Sequence, residues 1–220
     1  HFIETPVPKF PFLCLTVSGG HTQIVKVNST IEMNILGSTK DDAVGEAFDK
    51  GAKLMGFPYP GGPQIEKYAI SGNPNKFPFA ESHITDLNFS FSGIKTSLLY
   101  FLRDHLKHSP DFINENREDI CASYQKHLIS MLTKKLVLAA EKTSIKEIAI
   151  AGGVAANKEL RFQIEQLSKK YQWNNYIPRF EYCTDNGAMV AISGHIYFQH
   201  KSFGHLKDTP QPRMSFENEK

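Results

Sequence analysis

Residues 12–27, FLCLTVSGGHTQIVKV, restrict the fold more than any other stretch. The first six are a strongly apolar, β-prone run, and the last six alternate polar with apolar. Ser18, Gly19, Gly20 and His21 join them, so the pattern predicts an antiparallel hairpin. A third short strand is expected near 31–36. The later segment IKEIAIAGG (145–153) is a buried strand running into a helix, AANKELRFQIEQLSKK, and then a short strand, NNYIP. A leading hairpin followed by strand–helix alternation predicts a mixed sheet with helices laid on it.

Between these blocks the chain reads as helical. In DDAVGEAFDKGAKLMGF, Val44, Ala47, Phe48, Gly51 and Met55 recur at helical spacing, with Asp41 and Asp42 at the positive N-terminal end. GFPYPGGP (56–63) terminates that helix as a loop. Residues 71–93 read as an aromatic loop containing Phe77, Phe79, Phe89 and Phe91, followed by a helix from Ile94 to about Leu106. After a polar connector, a long helix is expected from about Asp119 to Lys142. It turns Ile120, Tyr124, His127, Leu128, Met131 and Leu136 inward. A last helix begins at TDNGAMVA, introduced by Asp185. The tail from Lys201, with Pro210 and Pro212, is expected to be extended. The expected order is βββα, a helical insertion over about 64–142, then βαβα within 1–200, and a tail over 201–220.

Composition narrows the function only a little. The 220 residues carry 25 basic and 23 acidic side chains, a formal charge of +2 that neither demands nor excludes a polyanionic partner. Cys14, Cys121 and Cys183 are far apart with no Cys-x-x-Cys spacing, which predicts reduced thiols rather than disulfides or a zinc knuckle. No apolar run approaches the roughly 20 residues of a membrane helix, and no signal-peptide pattern is present. The chain opens on His1 rather than Met and is expected to be a piece of something longer.

The candidate sites each admit a structural and a functional reading. Gly19 and Gly20 satisfy hairpin geometry, or else present backbone N–H groups to phosphate. No P-loop lysine follows them. Gly152 and Gly153 make a tight strand-to-helix turn, or an anion site at a strand's carboxyl end. Asn157 caps a helix or meets a ligand. Asp185 caps a helix or supplies one metal oxygen. Asp49 is solvated or recognises a ribose, and the YPGGP glycines permit close approach. His105 and His108 are expected at the surface. Lys95 contacts phosphate or RNA, or is simply solvated. Zinc-protease and serine-hydrolase motifs are missing, and no basic stripe with interleaved aromatics stands out.

VSGGHTQIV, DDAVGEAFDKGAKLMG, YPGGP, FSFSGIKTS, AGGVAANKELR and CTDNGAMVA, in that order, resemble the tRNA adenosine threonylcarbamoyltransferase family. These are the bacterial TsaD-type proteins and their archaeal and organellar relatives, once classed as glycoproteases. The resemblance runs from about Phe12 into the FGHLKDTPQPRM tail. It implies an actin-like ATPase fold of two ribonuclease-H-like lobes, of which this chain is the second. The implied reaction moves a threonylcarbamoyl group from threonylcarbamoyl-AMP to the exocyclic amine of the adenine beside the anticodon. The family's ligand-binding stretch falls on Thr16, Val17, Ser18, Gly19 and Gly20. Its ribose and adenine contacts fall on Asp49, Gly62, Asn157 and Glu66, a position acidic in part of the family. Its metal-ligand aspartate falls on Asp185.

The same resemblance implies a divalent metal (iron, or zinc), ATP or threonylcarbamoyl-AMP as ligand, and tRNA as substrate. It further implies a paralogous dimer partner with a small ATPase in bacteria; the reduced cysteines suit a bacterial cytoplasm and are compatible with a mitochondrial matrix, and no membrane is expected as a partner. The family's other two metal ligands are histidines four apart on a preceding helix, and no such pair occurs here. The first lobe is therefore expected outside this chain, and the piece is expected to fold with little transferase activity alone. Two alternatives from other classes are an ATPase or phosphotransferase of the same superfold and a partner-docking module.

Overall fold

A computed structural model describes residues 1–79 and 84–209. Its centre is a five-stranded sheet built from β1 (Phe12–Val17), β2 (Thr22–Val27), β3 (Met33–Ser38), β4 (Glu147–Ala151) and β5 (Asn174–Tyr176). The strand order is β3-β2-β1-β4-β5. β1 pairs antiparallel with β2, and β2 with β3, whereas β1–β4 and β4–β5 are parallel. The expected mixed sheet is present. Strand β1 is apolar except at the half-buried Thr16 because it is covered on both faces. Leu13, Leu15 and Val17 join the main core with Ile24, Ile148 and Ile150. Phe12 and Cys14 face the other way, against Val25, Val27, Ala149 and Phe2.

Helices α1 (Val44–Leu54), α2 (Gly61–Ala69), α3 (Ser92–Leu106), the short α4 (Phe112–Glu115) and α5 (Arg117–Thr143) follow β3. After β4 come a 3-10 turn (Gly153–Ala156) and α6 (Lys158–Tyr171); α7 (Gly187–Gln199) follows β5. Helix α1 buries Val44, Ala47, Phe48 and Gly51, the spacing read from the sequence. Tyr124 on α5 is fully buried, and its hydroxyl donates to the Ala47 carbonyl at 2.8 Å, tying α5 to α1. Among the inward positions expected on α5, Ile120, Leu128 and Leu136 are buried, and His127 and Met131 are partly so.

Four local expectations need correction. The YPGGP stretch is not all loop: Gly61 opens α2. There Pro63 sits in the first helical turn, where its missing N–H costs nothing. Asp41 does not serve α1. Its Oδ1 accepts from the Phe91 N–H at 2.7 Å and the Ser92 N–H at 3.3 Å, and its carboxylate also accepts from the Ser90 and Ser92 hydroxyls. It therefore closes the N-terminus of α3. Asp42 pairs with Lys50 at 2.7 Å. The first N–H of α1 is taken instead by Thr22 Oγ1 at 2.8 Å, and the next by the Ser18 carbonyl at 3.1 Å. His105 is half-buried, its ring stacked 4.3 Å from Phe112, while His108 is exposed as expected. Pro210 and Pro212 of the expected tail lie outside the described residues.

Helix α7 is apolar, yet none of its residues is buried; Val190, Tyr197 and Phe198 are all exposed. All three cysteines are free and buried. Burial pushes the Cys14 thiol up to about 11 and the Cys121 thiol to about 12, so both stay protonated and unreactive. No helix among the described residues is long and apolar enough to cross a membrane.

The Asp41 cap makes a testable prediction. Partial burial pushes its pKa upward, but the hydrogen bonds from Ser90, Phe91 and Ser92 outweigh that and hold it below the ordinary carboxylate value. Asp41→Ala is expected to cost about 1–2 kcal/mol at neutral pH, the size of a lost helix cap. A folded pKa below the unfolded value of about 3.9 means the contribution is complete above that pH. It is lost as pH falls through the folded value. Urea melts of wild type and variant should therefore converge below about pH 4. A gap that stays constant down to acid pH would rule out the ionised cap.

Candidate nucleotide site

The parallel pairing of β1 with β4 places their carboxyl ends side by side, the edge where ligands of open α/β sheets collect. Two diglycine turns leave that edge. The first, after β1, is closed by Ser18, whose Oγ accepts from the Gly20 N–H at 3.2 Å and the His21 N–H at 2.9 Å. The Ser18 N–H donates to the His21 carbonyl at 2.8 Å. Three of the tip's N–H groups are thus satisfied internally, while the Gly19 N–H has no acceptor among the described residues. Thr16 is half-buried, and Val17 points into the core.

The second turn follows β4. Gly152 has φ +95°, and a Cβ there would lie 2.3 Å from the Val17 carbonyl oxygen. Close approach of the two strand ends therefore requires glycine at that position. Gly45, at the start of α1, is equally constrained: a Cβ would meet the Ser18 carbonyl at 2.7 Å. Those contacts fix the hairpin tip, the start of α1 and the β4 turn against one another.

The remaining glycines of the site behave differently. Gly19, Gly20 and Gly153 have no left-handed φ, and an added Cβ would find nothing within 4 Å. Gly62 would meet only the Phe48 Cβ at 3.8 Å, an ordinary contact. Positive φ at a hairpin turn therefore does not explain Gly19 and Gly20. Gly187 and Gly194 are similarly open, but on the exposed α7.

The polar positions sit on the elements just joined. Asp49 Oδ1 accepts the Gly61 N–H at 2.8 Å, so the carboxylate holds the first turn of α2 rather than facing only solvent. Glu66 Oε1 accepts the Lys158 N–H at 2.9 Å and links α2 to the start of α6. Asn157 is buried and serves both ends of its amide. Its Oδ1 accepts from the Leu160 N–H at 3.0 Å as the α6 cap, and its Nδ2 donates to Gln125 Oε1 at 2.8 Å. The capping role expected of Asn157 is present, with a buried partner on α5 that local sequence does not reveal.

Asp185 is exposed and does not cap α7; the neighbouring Asn186 does, accepting from the Met189 N–H at 2.9 Å. The segment leading to Asp185 is nevertheless anchored. Arg161 donates to the Ala155 carbonyl at 2.8 Å, the Pro178 carbonyl at 2.7 Å and Cys183 Sγ at 3.1 Å, and its guanidinium lies 4.0 Å from the Phe180 ring centroid. Sequence reasoning passes over Arg161, although it lies in the same NKELR run as Asn157. Among the described residues, no three His, Cys, Asp or Glu side chains gather as a metal site. One exposed carboxylate is not by itself a complete set of ligands for a divalent ion.

Comparison with known proteins bears on this geometry. A solved structure of full-length HypF in a phosphate- and nucleotide-bound form superposes with a TM-score of 0.65 at 11% identity, over 87% of this chain and 41% of that one. That likeness speaks to fold alone, and the fold is an actin-like ATPase lobe. The tRNA N6-adenosine threonylcarbamoyltransferase of Cytophaga hutchinsonii is 52% identical over 97% of this chain and 62% of its own length. That of Christiangramia forsetii is 49% identical over 98% of this chain and 64% of its own length. The chain thus spans a little under two thirds of these relatives. The sequence family described as tRNA N6-adenosine threonylcarbamoyltransferase matches residues 1–192, and on that match the chain belongs to it.

Proposed function

We propose that this chain is the nucleotide-handling lobe of a tRNA-modifying acyltransferase that moves threonylcarbamoyl from threonylcarbamoyl-AMP to the exocyclic amine of the adenine beside the anticodon. The observation that carries this reading is the division among the glycines. Gly45 and Gly152 are required for packing, whereas Gly19, Gly20 and Gly153 face open space that the fold itself does not use, and Gly62 meets only an ordinary contact. Backbone without side chains, gathered at the carboxyl ends of β1 and β4, suits a ligand that must approach the main chain closely.

In the reaction, the adenine amine attacks the carbamoyl carbonyl of the mixed anhydride. The carbon–oxygen bond to phosphate breaks, AMP leaves with the electron pair, and the amine loses a proton. The lobe's part is to hold the nucleotide: tip and turn backbone along the phosphate, and Asp49, Gly62 and Glu66 around the ribose and base. Fixed dipoles there stabilise the charge that grows on the leaving phosphate. No side chain is assigned as general base. In the complete enzyme, a divalent metal (iron or zinc) held partly by Asp185 would add electrophilic stabilisation. tRNA, a paralogous subunit and a small ATPase complete the assembly, in a bacterial cytoplasm or a mitochondrial matrix. The 220-residue chain by itself has little transferase activity in this reading.

The test is calorimetric titration of the purified chain with ATP and with a stable threonylcarbamoyl-AMP analogue. Gly20→Val should leave the melting temperature within about 2 °C, because the added atoms meet open space. It should weaken nucleotide binding by about tenfold or more, since a crowded backbone forfeits at least one charge-assisted contact. Binding indifferent to Gly20→Val would remove the hairpin tip from the site.

A further inference from the structure

Cations that lie far apart in the sequence come together on one outer face. Helix α1 packs against both α2 and α3; its last turn carries Lys53 and Leu54, the last turn of α3 carries Arg103, and Lys107 follows that helix. Leu54, Leu99, Leu102 and Leu106 line a shallow groove of about 390 Å³ whose rim carries Arg103 and Lys107. On the other side of Lys53 a second hollow, about 470 Å³, is lined by Phe57, Tyr59, Asp49 and Gly61. The two hollows flank the end of α1, one lined by Leu54 and the other by Lys53, and the second includes Asp49 of the nucleotide site.

Aromatic rings alternate with these charges. Tyr59 is 85% exposed and is held between Pro58 and Pro60, whose rings restrict the backbone that presents it. The Arg103 guanidinium lies 4.7 Å from the centroid of the half-exposed Tyr100 ring. Farther round, Lys67 and Arg117 both lie over Tyr68, at 5.6 and 5.3 Å. Of these cations, Arg103 and Lys107 share one carboxylate, Asp104. Lys53 and Lys67 have no ion pair among the described residues. Scattered surface lysines are ordinarily just solvated. Here exposed aromatics interleave with cations on a face that runs into the nucleotide site, a combination that serves stacked bases and phosphates together.

We infer that this face binds RNA, with Lys53, Arg103 and Lys107 on phosphates and Tyr59 stacking on an unpaired base. That the polyanion is RNA rests on the proposed tRNA-modifying function; the position of the face rests on the geometry. The hollow beside Asp49 and Gly61 then directs a loop base toward the nucleotide.

The experiment measures binding of a fluorescently labelled anticodon stem-loop RNA to the purified chain over about a fourfold range of salt, alongside ATP titration. Removing Lys53, Arg103 and Lys107 together (each to Gln) should lower the salt slope by about 2 and weaken RNA binding at least tenfold. Tyr59→Ala should weaken it by about tenfold with the salt slope unchanged, the loss of one stacked base. Both variants should bind ATP as wild type does, which also shows that they are folded. RNA affinity unchanged in both variants would overturn the face and leave the nucleotide reading intact. So would a folded wild-type chain that binds no RNA. Equal displacement of the RNA by polyglutamate would make the face a general anion surface and overturn RNA recognition. RNA binding at this face with no nucleotide binding would uphold it while removing the transferase reading.

Discussion

Gly152→Ala is expected to destabilise the chain by about 3–5 kcal/mol, while its neighbour Gly153→Ala shifts stability by no more than about 1 kcal/mol. The two positions are adjacent in the sequence and look equivalent there. At Gly152, φ is +95° and the new methyl would sit 2.3 Å from the Val17 carbonyl oxygen. Both the backbone strain and the clash are unavoidable, because Val17 is the buried end of β1, paired with Thr22 of β2 and adjacent to Thr16, which pairs with Ala151 of β4. Gly153 is exposed, has no left-handed φ and has nothing within 4 Å of an added methyl. Thermal melts would show Gly152→Ala lowered by roughly 10 °C or more and Gly153→Ala nearly unchanged. Equal melting temperatures would refute the contact between the strand ends that positions the two turns. The pair also separates folding from function: Gly153→Ala should weaken nucleotide binding although it leaves the fold intact.

The same distinction shows what can be read from the sequence. Strands β1, β2 and β4, and helices α1, α5 and α6, follow directly from hydrophobic period, because each buries a face whose spacing is local. The two diglycine turns are visible for the same reason, bounded by strands with clear patterns. Helix α2 is not legible: Gly61-Gly62-Pro63 has the composition of a loop. Its first turn is held by the Asp49 carboxylate and by packing against α1 and α5, so tertiary contact overrides propensity. Proximity along the chain assigns Asp41 to the nearer helix, because its real partners, Phe91 and Ser92, lie 50 and 51 residues away. The basic face is invisible because α1, α2, α3 and α5 contribute its cations from separate parts of the sequence. Arg161 falls in the same class, since two of its three acceptors, Pro178 and Cys183, lie 17 and 22 residues away.

Asn157→Ala has the second large expected effect, and its size changes how a ligand-binding result is interpreted. The substitution removes the cap of α6, worth about 1 kcal/mol. It also leaves the buried Gln125 without the donor that now reaches its carbonyl, worth about 1–3 kcal/mol more. The total, about 2–4 kcal/mol, should lower the melting temperature by roughly 5–15 °C. Lost nucleotide affinity in this variant would therefore report loosening of the α5–α6 junction as much as a lost contact. Asn157→Asp separates the two. Its carboxylate still caps α6 and favours the positive helix end, and the Gln125 amide can rotate to donate to it. Stability should return to within about 1 kcal/mol of wild type. If the Asp variant melts like wild type and still fails to bind nucleotide, the Asn157 amide itself meets the ligand. If it binds normally, Asn157 serves only to join α6 to α5, and recognition rests on the open glycines, Asp49 and Glu66. An Asp variant as unstable as the Ala variant would instead show that the donor to Gln125, and not the cap, holds this junction.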